Sequence, residues 1–138
     1  MESVTNLLAG LGSFAIYFFI SLLMLVIFKW VYAFVTPHDE WQLVKEEQNT
    51  AAAIGLMGAV VGFAIALAGA IANSIALLDF VVWGVVALIA QILAFFIVRF
   101  VFMPKIVQRI INNEVTAGII LAGMSIAVGL LNAACMTY

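Results

Sequence analysis

The stretch Ala51–Ala72, AAAIGLMGAVVGFAIALAGAIA, carries no charged side chain and decides the fold. A helix needs roughly 20 apolar residues to cross the hydrocarbon core of a bilayer. One comparable run precedes this stretch and two follow it: Leu7–Val35, uncharged as far as Lys29; Phe80–Met103, with Arg99 near its end; and Ala117–Met136. The sequence therefore predicts four transmembrane spans.

The composition of the whole chain supports a membrane protein. Hydrophobic residues make up 67% of its 138 residues and charged residues 9%, against roughly 45–50% and about 25% in soluble domains. Helices are predicted rather than strands, because isolated strands leave backbone groups unsatisfied in hydrocarbon. The alternating ten-residue segments of a membrane barrel are also absent from the sequence. We expect an all-α membrane protein.

The positions of the cations predict how the chain is threaded. No Lys or Arg precedes Lys29, and the first run is too long for a signal peptide, so we expect it to be a true span. Lys29 and Lys45 belong to the connection between the first two spans, and Arg99, Lys105 and Arg109 to that between the last two. Because cations beside spans stay on the cytoplasmic side, we expect cytoplasmic connectors and periplasmic termini.

Both halves of the chain read as span, polar connector, span, which predicts an internal repeat. Each connector begins with a proline, Pro37 or Pro104, and ends with a threonine, Thr50 or Thr116, before small residues. We assign residues 1–72 and 73–138 to two two-span repeats of one compact membrane domain. Two spans return the chain to its starting side, so the repeats would be parallel. The alternative is convergent composition in alanine-rich helices.

Each connector is expected to contain a short amphipathic helix lying in the membrane interface. Thr36 followed by proline and by Asp39 is typical of a helix start. In the second connector Ile106 and Ile110 share one face, and Arg109 lies on the other. Such helices hold tryptophan at headgroup depth and direct cations toward anionic lipid. The alternative is that both helices extend the spans into water.

Polar side chains within the spans form a candidate polar interior of Tyr17, Ser21, Gln91 and Asn132. Gln91 lies at the midpoint of the third span on a stripe of small residues, so we expect it to face protein. One interpretation is hydrogen bonding between helices, worth about 0.6 kcal/mol per bond on average. The other is a polar path or a site for a small solute.

Small residues predict where helices contact each other. Gly55, Gly58 and Gly62 in the second span, with the GxxxG spacing of the last two, and Gly129 in the fourth are assigned to helix packing. The contact is expected either within one chain or between chains. Because these ridges exceed what one four-helix bundle can use, we predict a homo-oligomer.

The residue types present also limit the function classes. No Asp or Glu lies within a predicted span, which disfavours coupled secondary transport. We predict no enzyme, no catalytic or metal-binding residues and no cofactor, because acid–base chemistry needs titratable groups held together. The single histidine, His38, is interpreted as structural, with metal binding or pH sensing as the alternative. Without a basic patch, nucleic acid is not an expected partner.

The first connector, TPHDEWQLVK at Thr36–Lys45 followed by Asn49 and Thr50, and the ending NAACMT at Asn132–Thr137 resemble the YjfL family of bacterial inner-membrane proteins. The likeness covers nearly the whole chain. It implies a multi-pass helical protein of the bacterial cytoplasmic membrane and supplies no catalytic residues. The shared connector residues indicate a role at the cytoplasmic face for His38, Trp41, Asn49 and Thr50.

We therefore predict a non-enzymatic scaffold that presents its connectors to peripheral cytoplasmic proteins or to membrane lipid. The candidate contact residues are His38, Trp41, Lys45, Lys105 and Arg109. The alternative is an oligomeric channel for ions or small solutes, built around Ser21, Gln91 and Asn132.

Overall fold

The computed structural model describes residues 1–37 and 40–136, with the backbone alone at Glu40. Within that part the regular structure is entirely helical. The helices are α1 (Glu2–Val35), α2 (Glu40–Lys45), α3 (Thr50–Asn73), α4 (Leu77–Ile97) with a π-helical continuation at Val98–Phe102, α5 (Ile106–Ile111) and α6 (Val115–Cys135). Four of them, α1, α3, α4 and α6, are long and apolar enough to cross a membrane. This confirms the predicted all-α chain with four membrane-capable helices.

Helices α1 and α4 run in the same direction. The ring of Tyr17 packs against Phe80, with centroids 5.3 Å apart, and the ring of Tyr32 packs edge-on against Phe95 at 5.9 Å. Later residues of one helix therefore meet later residues of the other. In the predicted repeat, α1 and α4 are the first spans of the two halves, and parallel repeats would require them to run in the same direction.

Helices α3 and α6 also run parallel to each other and form the centre of the bundle. Near the start of both helices Gly118 lies against the Ala51 carbonyl group, and near their ends Gly69 lies against Ala133. Helix α4 runs in the opposite direction to α3. Its earlier residue Gly84 lies near Leu67, whereas its later residue Gln91 lies near Gly62. The four long helices thus alternate in direction along the chain.

The contact between α3 and α6 is close enough to exclude side chains. A Cβ atom on Gly58 would overlap Ala122, and one on Gly129 would overlap the carbonyl oxygen of Gly62. Gly55 leaves space for Leu121, whose Cδ2 lies 3.0 Å from the position of an added Cβ. Between helices in lipid there is no hydrophobic drive, so this proximity gains dispersion contacts that larger residues prevent. All of these contacts lie within one chain.

Hydrogen bonds join the two connectors at one end of the bundle. Asn49 begins α3: its Oδ1 accepts from the Ala52 N–H at 2.9 Å, and its Nδ2 donates to the Ile110 carbonyl at 2.8 Å. In return, Asn113 Oδ1 accepts from the Ala51 N–H at 3.0 Å. Since α3 and α6 start here and α1 and α4 end here, the start of α1 and the end of α6 lie at the opposite end.

The predicted helix start at Thr36, Pro37 and Asp39 lies partly outside the described residues and stays a prediction. Thr36 lies at the end of α1, and its hydroxyl donates to the Tyr32 carbonyl at 2.9 Å. Helix α2 is described from Glu40 onward, while Asp39 lies outside the described residues. A threonine hydroxyl can donate to a carbonyl of the preceding turn and also accept from an amide of the next helix.

The apolar face of α5 packs on protein. Ile106 and Ile110 are fully buried, whereas Ile111 is largely exposed. Their burial against the bundle means that this helix is anchored by side-chain packing in addition to any contact with lipid. Its placement in the membrane interface stays a prediction.

Helix α1 contributes least to the bundle. In its most apolar window 6% of residues are buried, against 50% for α3. A Cβ atom added at Gly10 or Gly12 would meet nothing within 4 Å. Its 34 residues extend about 50 Å at 1.5 Å per residue, which exceeds the hydrocarbon thickness of about 30 Å. Most of its surface is therefore free to contact lipid or another chain.

Candidate functional site

The amide side chain of Gln91 is buried near the middle of α4 and is 1% exposed. Oriented by its neighbours, its Nε2 donates to the Ser125 carbonyl and its Oε1 accepts from the Gly129 N–H, both at 3.2 Å. Gly62 of α3 also lies beside this amide: a Cβ atom added to Gly62 would come within 2.9 Å of the Gln91 side chain. The side chain thus attaches α4 to the crossing point of α3 and α6, and it faces protein as its stripe predicts.

Two further polar groups are buried on α6, close in sequence to Gly129. Ser125 Oγ and Asn132 Nδ2 make no hydrogen bond to the part of the chain that the structure describes. Ser125 is 1% exposed, one turn before Gly129. Together with the bonds from Gln91, this concentrates the polarity of the interior on one face of α6.

Tyr17 and Ser21 lie apart from Gln91, on α1. Ser21 Oγ donates to the Tyr17 carbonyl at 2.6 Å, so the hydroxyl is used within its own helix. Both residues, with Ser13 and Ile71, line an open surface groove of about 450 Å³. The structure therefore divides the four candidate interior residues between the bundle centre and an outer groove.

Two lysines of the connectors are exposed and Arg109 is partly buried. Lys45 and Lys105 face outward, and Arg109 Nε forms an ion pair with Glu114 Oε1 at 3.2 Å. With both side chains partly exposed, such a pair contributes about 0–1 kcal/mol to stability. His38 lies outside the described residues. The connector surface is defined here as the exposed described residues of the two connectors, 36–49 and 104–114, and it carries both cations and carboxylates at one end of the bundle.

Trp41 of α2 is 45% exposed and packs over a lysine of α1. Lys29 Nζ lies 4.5 Å from the centroid of the Trp41 ring and 4.9 Å from that of Trp30. A cation over an indole face is attracted by about 0.5–1 kcal/mol at an exposed site. This contact positions α2 against the end of α1. Trp30 and Lys29 are not among the site residues predicted from the sequence, although Lys29 is the first charged residue after an uncharged span.

The turns that lead into α3 and α6 have a left-handed backbone, which was not predicted from the sequence. Gln48 and Asn113 have φ values of 53° and 59°, and each directly precedes the first capping residue of a long helix, Asn49 or Glu114. Asparagine is enriched in this left-handed conformation. Asn113 was therefore recognisable as a turn residue, whereas glutamine gives no such signal.

Comparisons with known proteins identify similar sequences. Residues 6–136 match the family described as Domain of Unknown Function (DUF350). Over 133 residues the chain is 41% identical to the UPF0719 inner membrane protein YjfL of Escherichia coli (strain K12), which covers 96% of this chain and 99% of that protein. It is 29% identical over 121 residues to the UPF0719 transmembrane protein YshE of Bacillus subtilis (strain 168), covering 87% and 90%. No solved structure matches.

Proposed function

Because the chain belongs to the DUF350 family, with relatives named as inner-membrane and transmembrane proteins, we propose that it is a non-enzymatic membrane scaffold. In this proposal its connector surface faces the cytoplasm and contacts peripheral proteins or anionic lipid. The family membership agrees with the resemblance in the first connector. Both termini are proposed to be periplasmic, since the five Lys and Arg residues of the chain lie at or near the connector end.

The observation that carries the proposal is that the connectors are anchored to the bundle while two of their lysines stay exposed. Asn49 bonds the end of α5, and Ile106 and Ile110 are buried beneath it. Lys45 and Lys105 nevertheless point outward. A surface of this kind is pre-organised, which lowers the entropic cost of binding a partner.

In-cell cross-linking tests the scaffold. Lys105→Glu reverses the charge directly before α5 and Trp41→Ala removes the exposed ring on α2, so each is expected to lower the yield of a cross-linked cytoplasmic protein at least fivefold. Ile75→Ala, at the opposite end and 85% exposed, serves as the matched control and is expected to leave the yield unchanged. Equal yields from all three variants, with normal insertion, would show the proposal to be wrong.

An oligomeric channel is the second candidate, and its path would follow the groove lined by Ser13, Tyr17 and Ser21. The Gln91 amide is engaged by α6, so a path would run between copies along α1 rather than through one bundle. Flux through reconstituted liposomes is the test. A Ser21→Leu variant should then lose the flux, whereas wild-type flux no greater than that of empty vesicles counts against the channel.

A homo-oligomer is proposed on different grounds from those given by the sequence. Gly55, Gly58 and Gly62 are occupied by α6 of the same chain, so these ridges no longer argue for a second copy. The exposed length of α1 does, because Gly10 and Gly12 leave room for close approach by another helix. The mass of the protein in lipid nanodiscs should be at least twice the 14.9 kDa of one chain, and a monomer mass contradicts this.

Two parallel two-span repeats, residues 1–72 and 73–138, are proposed from the pairing of α3 with α6 and from the matching left-handed turns at Gln48 and Asn113. The packing is not fully symmetric, since α4 contacts both α3 and α6 whereas α1 contacts mainly α3 and α4. A circular permutant opened at the turn between α3 and α4, with a flexible linker joining the original ends, should fold. Its failure to insert would count against the repeat.

A further inference from the structure

We propose that Lys29, Trp30 and Trp41 form a specific site for one anionic phospholipid of the leaflet at the connector end. The proposal rests on the scaffold function above and names the ligand of a defined part of it. The site combines an ammonium group, two indole rings and an apolar groove, in the order in which a phospholipid presents its phosphate, interfacial region and acyl chain.

The ammonium group supplies the charge complementarity. Lys29 Nζ is covered by the rings of Trp41 and Trp30 at 4.5 and 4.9 Å, and no carboxylate among the described residues pairs with it. The indole rings recover part of the cost of holding a cation at the membrane boundary. A phosphate would supply the counter-charge, and exposed indole N–H groups would provide further donors.

Two cavities meet at Lys29 and give the site its direction. Toward the centre of the bilayer, a groove of about 370 Å³ runs between α1 and α3, lined by Leu25, Val26, Met57 and Val60. Toward the connector end, a second cavity of about 450 Å³ is bounded by Lys29, both tryptophans and the turn at Thr36 and Pro37. An amphiphile therefore fits with its chain in the first and its headgroup in the second.

A lipid explains this arrangement better than a peripheral peptide. The groove lies between two membrane-capable helices, on a surface that faces hydrocarbon once those helices are inserted. A soluble peptide has no access there, and free phosphate would leave the groove unused. Simple snorkelling of Lys29 to the headgroups accounts for the cation but not for the groove that continues from it.

Quenching of tryptophan fluorescence by brominated lipid tests the site. The protein carrying Trp83→Phe, which leaves Trp30 and Trp41 as reporters, is reconstituted in vesicles that contain brominated phosphatidylglycerol or brominated phosphatidylcholine at equal mole fraction. We expect quenching to show about fivefold preference for phosphatidylglycerol, the factor expected for one cation at an anionic surface. Lys29→Gln should remove the preference and Lys29→Arg should retain it.

Arg99→Gln is the matched control, since this cation also lies at the end of a span but packs on Phe100; it should leave the preference intact. Equal quenching by the two lipids, or a preference that survives Lys29→Gln, would overturn the proposal. Loss of the preference on adding inorganic phosphate would identify a phosphate site instead of a lipid site and would also overturn it.

If Lys29→Gln does not insert, Trp30→Leu with Lys29 intact should reduce the preference, and an unchanged preference overturns the site. No partner protein is present, so failure here is distinguishable from failure of the cross-linking test.

Discussion

The carbonyl oxygen of Gly62 occupies the space that a Cβ atom of Gly129 would need. Two backbones in direct contact at the centre of a membrane bundle gain dispersion energy and weak Cα–H···O bonds along the crossing. The amide of Gln91 joins the same point from a third helix. The stability of the bundle should therefore depend on this crossing more than on any other single contact.

Enlarging Gly129 is expected to separate α3 from α6. Gly129→Val adds branched carbon atoms against a backbone carbonyl that cannot rotate away, and overpacking of this kind typically costs about 1–3 kcal/mol. We expect the free energy of unfolding in a bilayer to fall by at least about 1 kcal/mol. Gly123→Val in the same helix is the control, because a Cβ there meets nothing within 4 Å. Equal effects of the two substitutions would contradict the assignment.

Replacing Gln91 should have a smaller effect. Gln91→Met keeps the volume but removes two hydrogen bonds to α6, and interhelical bonds in membranes are worth about 0.6 kcal/mol on average and about 1.7 at most. We expect a loss of unfolding free energy within that range, without a change in helix content by circular dichroism. Leu93→Met, on the exposed side of α4, should be neutral. A loss of several kcal/mol would indicate a different role for the amide.

Asn49 is expected to couple the two connectors. Asn49→Ala removes the cap of α3, at a typical cost of about 0.5–2 kcal/mol, together with the bond to the end of α5. Hydrogen exchange should accelerate at Ala52 and also in α5, far away in sequence. Asn112→Ala, which changes an exposed residue beside the same turn, should leave exchange in α3 unchanged. Acceleration confined to α3 would show that the connectors are not coupled.

Asn113 combines a left-handed backbone with a side-chain bond, and two substitutions separate these contributions. Asn113→Gly keeps the φ of 59° accessible and loses only the bond to the Ala51 N–H. Asn113→Ala loses the bond and also places alanine, which lacks the local side-chain hydrogen bonding of asparagine, in the left-handed region, at about 1 kcal/mol or more. Thermal unfolding in detergent should rank wild type above Gly and Gly above Ala. An alanine variant as stable as the glycine variant would contradict this order.

The sequence predicted those parts of the fold that hydrocarbon dictates. The span at Ala51–Ala72 corresponds to α3 at Thr50–Asn73 within a residue or two, because an uncharged run of that length has only one stable form in lipid. The burial of Gln91 followed from its stripe. Contacts between residues distant in sequence were not predictable. No sequence pattern indicates that Asn49 bonds to Ile110 or that Trp41 packs on Lys29, because such contacts depend on which helices become neighbours.

Labelling of engineered thiols tests the central claim, which is that the chain crosses the membrane four times with its connectors in the cytoplasm. Glu2→Cys and Gln108→Cys are made separately in a Cys135→Ser background, because Cys135 is the native free thiol. In intact spheroplasts a membrane-impermeant maleimide should label position 2 at once and position 108 only after lysis. Labelling of both positions from the same compartment would contradict the threading.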